Sequence, residues 1–151
     1  MPTFTRLAAA LIYGALALYA AERYKLLYDT PPQLGQTSLF MALVGGYVGW
    51  AFVGKRISGA MLYSIFQALQ GVIVTILAGL ALYGIAEVFR LGYRMRYRNL
   101  YEAVRGFFAI VTEHLQRMAD PGFLALLATM AVGAGLVLTL IWRWAEARRF
   151  K

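Results

Sequence analysis

Long apolar blocks separated by short polar breaks set the architecture of this chain. The longest block runs from Met61 to Phe89 and contains no Lys, Arg or Asp; its single formal charge, Glu87, lies near its far end. An apolar run of about 18 or more residues can cross a bilayer as a helix. Three further blocks, at about 4–21, 38–53 and 121–142, read the same way. Within the longest, Ser64, Gln67, Gly71, Thr75 and Ala78 recur at three- and four-residue steps and share one helical face. That face is expected to pack on neighbouring helices. The bulky one, Leu62, Ile65, Phe66, Leu69, Ile73, Ile76, Leu77 and Leu80, is expected to meet lipid.

The pattern changes over Asn99 to Met118. Leu100, Val104, Phe107, Phe108, Val111, Leu115 and Met118 form a stripe, with Glu102, Arg105, Glu113 and Gln116 largely opposite. The uninterrupted apolar part is too short to span, so this segment predicts an amphipathic helix along the membrane surface or across the bundle end. The fold class is therefore all-α: a polytopic membrane protein with four transmembrane helices plus one amphipathic interfacial helix, in a single membrane domain over 1–151.

Small residues mark where helices approach. Ala10 and Gly14 form one such pair and Gly45 and Gly49 a GxxxG pair; Gly71, and the stripe Ala125, Thr129, Gly133, are read as helix-packing positions. Pro31, Pro32 and Gly35 break the chain after the first span. The tight basic turn Gly54-Lys55-Arg56-Ile57-Ser58-Gly59 predicts an antiparallel hairpin of the second and third spans. Asp120 and Pro121 suit an N-cap and first turn for the last span.

Composition sharpens the picture. The 151 residues are 61% hydrophobic, above the roughly 45–50% of soluble domains. No cysteine is present, which removes disulfides, thiolate metal sites and cysteine redox chemistry. The net charge of +8 comes from cations flanking the apolar blocks. Lys55, Arg56, Arg94, Arg96 and Arg98 are accordingly read as contacts to anionic headgroups, and nucleic acid is not an expected partner. The apolar run after Arg6 exceeds a signal-peptide core, so the first span is read as a retained helix. Four spans put seven cations (Arg6, Lys55, Arg56, Arg143, Arg148, Arg149, Lys151) on one side and eight (Arg23, Lys25, Arg90, Arg94, Arg96, Arg98, Arg105, Arg117) on the other. The count does not orient the chain. The acid-poor Lys55-Arg56 turn and basic tail place the termini in the cytoplasm.

Candidate chemistry is sparse. Gln67, Gln70, Glu87 and Arg90 are the polar membrane residues that could act on a substrate or proton, since an ionisable group at membrane depth is costly. Their structural alternatives are interhelical hydrogen bonds for the amides and an i,i+3 ion pair for Glu87 and Arg90. His114, the one histidine, reads as a surface residue with no special role. No metal ligand set, cofactor motif or catalytic residue is expected, and no enzyme motif is recognisable.

Several short motifs resemble the TrgA family of small proteobacterial inner-membrane proteins linked to tellurite resistance. They are Met1-Pro2-Thr3, Gly49-Trp50, Gly54-Lys55-Arg56, Arg94-Met95-Arg96-Tyr97, Glu102-Ala103-Val104, Asp120-Pro121 and the tail Trp144-Ala145-Glu146-Ala147-Arg148-Arg149. The resemblance implies the bacterial inner membrane and a resistance phenotype, with no catalytic residues to transfer. Two functions stay open. One is a small transporter or anion-handling component, as a homo-oligomer if a pore forms. The other is a non-transporting accessory protein that binds a larger membrane complex through its small-residue faces.

Overall fold

The computed structural model describes residues 3–27, 37–94, 97 and 99–147. Five helices follow in order: α1 Thr3–Lys25, α2 Thr37–Arg56, α3 Met61–Tyr93, α4 Leu100–Met118 and α5 Pro121–Ala147. All but α4 are long and apolar enough to cross a membrane. Each spanning helix runs past its apolar block, because charged residues such as Lys25 and Arg90 extend a helix without belonging to its oily part. α3 is the extreme, with 33 residues, a length of about 50 Å against a hydrocarbon layer of about 30 Å.

The spans form a ring in which α1 packs most extensively on α2 and α3 on α5, with α1–α5 and α2–α3 contacts closing it. Consecutive α2 and α3 do turn back on each other, but the principal neighbour of α2 is α1. Phe4 and Trp144 bring their rings to 6.0 Å, so the start of α1 and the end of α5 share one end of the bundle with the α2–α3 turn. That turn is tied twice. Ser64 Oγ donates to the Ser58 carbonyl at 2.9 Å, and Arg143 donates through Nε and Nη2 to the Gly59 carbonyl at 3.2 and 2.8 Å.

α2 is not a regular helix. Over Gly49–Val53 it widens to a π turn, with the Gly54 N–H reaching back to the Gly49 carbonyl. Such turns arise where one extra residue is accommodated inside an α-helix. Here the widening brings Val53, Gly54 and Ile57 to the inside, where Val53 is fully buried. With Ala9, Tyr13, Val48, Ala134 and Leu138, Val53 and Ile57 form a tight core in the half of the bundle nearest the α2–α3 turn.

On α3, Ser64, Gln67, Gly71 and Thr75 face inward, and Leu62, Phe66, Leu69, Ile73 and Leu77 face out. Leu80, Ile76 and Ile65 depart from the outward set expected for them: Leu80 is buried beside Gly79 and Ile76 lines the interior with it, because α3 meets other neighbours at this level, and Ile65 lies against Gly135 of α5. Asn99 caps α4 by accepting from the Glu102 N–H at 2.9 Å. Asp120 does the same for α5, from Phe123 N–H at 2.9 Å. α4 crosses α3 instead of running back along it: Phe107 and Val111 lie against Gly84, and His114 meets Tyr83. Gly84 is 23 residues beyond Met61, about 35 Å along the helix. That places α4 roughly one hydrocarbon thickness from the start of α3, at the far interface. Its Leu100, Tyr101, Val104 and Phe108 remain exposed.

Candidate functional site

The polar membrane residues singled out from sequence do not converge. Gln67 is buried and its Oε1 has no hydrogen-bond partner, while Gln70 is half-buried one turn away. Glu87 and Arg90 lie 20 residues further along α3 than Gln67 and Gln70 respectively, about 30 Å away. There Arg90 Nη2 and Glu87 Oε1 pair at 2.7 Å, with the guanidinium largely exposed. The charges neutralise each other near the end of the helix. Lys55 and Arg56 are exposed at the α2–α3 turn, where the Arg56 guanidinium lies 3.7 Å over the Phe52 ring. Arg94 is exposed at the opposite end; Arg96 and Arg98 lie outside the described residues.

The small residues divide into two groups. A Cβ on Gly45 would stand 2.5 Å from Ala17 Cβ, and one on Gly49 would collide with the Ala9 carbonyl, so both glycines seat α2 on α1. Gly71 admits Val53 and the Tyr13 hydroxyl against α3. By contrast, Ala125 and Thr129 are exposed, and a Cβ on Gly133 would meet nothing within 4 Å. Thr129 Oγ1 bonds back to the Ala125 and Leu126 carbonyls of its own helix. Among the described residues this stripe is not the packing face of α5, which is buried through Phe123, Ala131, Ala134, Gly135, Leu138 and Thr139.

The site the structure does assemble is a cavity of about 100 Å³ on the bundle axis, in the half away from the α2–α3 turn. All five helices line it, almost wholly with hydrocarbon and methionine side chains. Its inner end is Tyr13, whose hydroxyl donates to the Ala68 carbonyl at 2.6 Å. Its outer end is polar. Tyr24 Oη and His114 Nδ1 are 2.6 Å apart, the Tyr83 ring meets the imidazole edge-on at 5.2 Å, and Phe123 packs on Tyr24 at 5.8 Å. Lys25, at the same level, gives one of its three N–H donors to Glu22 at 2.9 Å.

His114 is thus half-buried at a junction of α1, α3 and α4, not the featureless surface residue its sequence context suggests. Burial holds its imidazole below the ordinary value, and Arg117 acts in the same direction; Glu113 and Glu87 oppose them. No local signal could have revealed the pairing, since Tyr24 and His114 are 90 residues apart. Among the described residues no three His, Asp or Glu side chains gather as a metal site would need.

The fold and its apolar interior define a multi-span helical membrane protein. Comparison with protein-family models, with curated proteins and with solved structures returns no match.

Proposed function

We propose that this is a non-transporting accessory protein of the membrane, and that oxyanion resistance of the TrgA kind, where it occurs, is indirect. One observation carries the reading: the half of the bundle nearest the α2–α3 turn is plugged by Ala9, Tyr13, Val48, Val53, Ile57, Ala134 and Leu138. An anion crossing there would shed its hydration against hydrocarbon, a cost of tens of kcal/mol for an isolated charge. Arg90 and Glu87 do not offset that cost, because they neutralise each other far from the plug, and Arg6, packed on Gly54, stands at the plug's end and not along it.

A larger complex or a second copy would meet the outward side of α5, since Gly45 and Gly49 are already occupied by α1. The inner membrane of a bacterium, with anionic headgroups at both basic ends, is the setting the sequence motifs support.

Purified protein in liposomes, loaded with tellurite under a proton gradient, is expected to give the flux of empty liposomes. Saturable flux above that background, lost in Glu87→Gln or Gln67→Leu, would overturn the proposal in favour of a transporter.

A further inference from the structure

The bundle is packed in one half and hollow in the other, and the hollow half has a definite shape. It reaches from Tyr13 to Lys25 along α1, which is about 18 Å of helix. The lining makes an elongated apolar slot. An extended polymethylene chain matches that length and that lining. Met41, Met118 and Met130 project into it from three different helices. Unbranched thioether side chains adapt to an occupant that flexes.

The two ends differ as the two ends of an acyl chain differ. The inner end closes on Tyr13, whose hydroxyl is already engaged by Ala68, so it presents a ring to a terminal methyl group. The outer end lies at the level of α4, near the membrane–water boundary, and is lined by Lys25, Tyr24 and His114, the last two bonded to each other. Ester and phosphate oxygens sit at that depth in a bilayer, and among the described residues the Lys25 ammonium, with three donors, pairs with Glu22. In water an apolar cavity this small stays dry. In a membrane the surrounding solvent is itself made of acyl chains, so filling the slot costs no dehydration and restores dispersion contacts along its walls.

We propose that this slot binds one acyl chain of a membrane phospholipid, methyl end toward Tyr13 and glycerol end at Lys25, Tyr24 and His114. The lipid is then a resident part of the bundle, distinct from the annulus that wets its outside. The slot and the plug are separate observations, so this inference does not depend on whether the protein transports anything.

Two measurements test it. The first uses the unaltered protein, purified in mild detergent and examined by native mass spectrometry. About one phospholipid per chain is expected to survive delipidation. Ala20→Phe and Leu127→Trp, which fill the slot from two different helices, are expected to lower that retention at least tenfold. Val137→Phe, on the outward face of α5, should leave it unchanged. The second needs no variant: a phospholipid carrying a photoreactive group near the end of one acyl chain is reconstituted with the protein and irradiated. Adducts are expected on peptides containing Leu16, Met41 and Met130. Labelling confined to outward residues such as Leu11, Leu43 and Ile73 would overturn the proposal whatever the variants do. Retention of a quinone or a free fatty acid in place of a phospholipid, or of nothing, would overturn it too.

Discussion

At the scale of single residues, steric room decides more than polarity. Gly49 and Gly133 are both small residues in apolar helices, yet only Gly49 has a neighbour where a side chain would go. Gly49→Ala is expected to force α2 off α1 and destabilise the bundle by about 1–3 kcal/mol. Gly133→Ala meets nothing, so it should be neutral or stabilising by up to about 1 kcal/mol through helix propensity. Thermal melts of both variants in the same detergent check the contrast, and equal losses would contradict it. Tyr13 makes the same point for a polar atom. Its hydroxyl reaches the Ala68 carbonyl across two helices, and Tyr13→Phe is expected to cost about 1 kcal/mol in the same melts. Sequence periodicity could place Tyr13 inside the first span but not say that its oxygen had a use there.

At the scale of elements, α4 and the π turn carry the consequences. α4 is held partly by His114, whose neutral form is favoured when folded. Because the folded value lies below the ordinary one near 6.5, the unfolded or undocked state binds more protons as pH falls between the two. Stability is therefore complete above about 6.5 and declines below it, through the lowered folded value. Melts of the unaltered protein should fall with acidification across that window, and those of His114→Phe should fall less. Identical slopes would show that His114 does not carry the dependence. For α2, deleting Ala51 would remove the extra residue and let the π turn close into ordinary helix, with Val53, Gly54 and Ile57 kept on their inward face. Folded yield in detergent should survive that deletion, whereas deleting Ala42, in the regular part of α2, turns the two sides of the helix by about 100° against each other and should abolish it. Four of the five helix types were legible from block length and one from its stripe, because both signals are local. The π turn was not, since Gly49-Trp50-Ala51-Phe52-Val53 reads as continuous helix; only packing against α1 and α3 selects the wider turn.

At the scale of the whole molecule, the half-packed, half-hollow bundle was out of reach of the sequence for the same reason. Leu127 and Leu138 look alike in an apolar span; one borders the slot and the other is fully buried in the plug. The alternation of four crossings makes a further statement. With α3 crossing the membrane, Ser58 in the α2–α3 turn and Gly92 near the end of α3 are expected on opposite faces. The chain has no cysteine, so single Ser58→Cys and Gly92→Cys variants can be labelled from outside the cell without background. One is expected to react and the other not, with Gly92→Cys the reactive one if the termini face the cytoplasm. Reaction of both would break the four-span topology.

The two hydrogen bonds from Arg143 to the Gly59 carbonyl have a consequence for how the chain is made. The turn between α2 and α3 leaves the ribosome some 84 residues before the side chain that fastens it. During translation that hairpin must therefore wait in the lipid with its corner unlatched until α5 arrives. A chain truncated before Trp142 should be far more open to proteases at Ile57–Ala60 than one that carries Arg143.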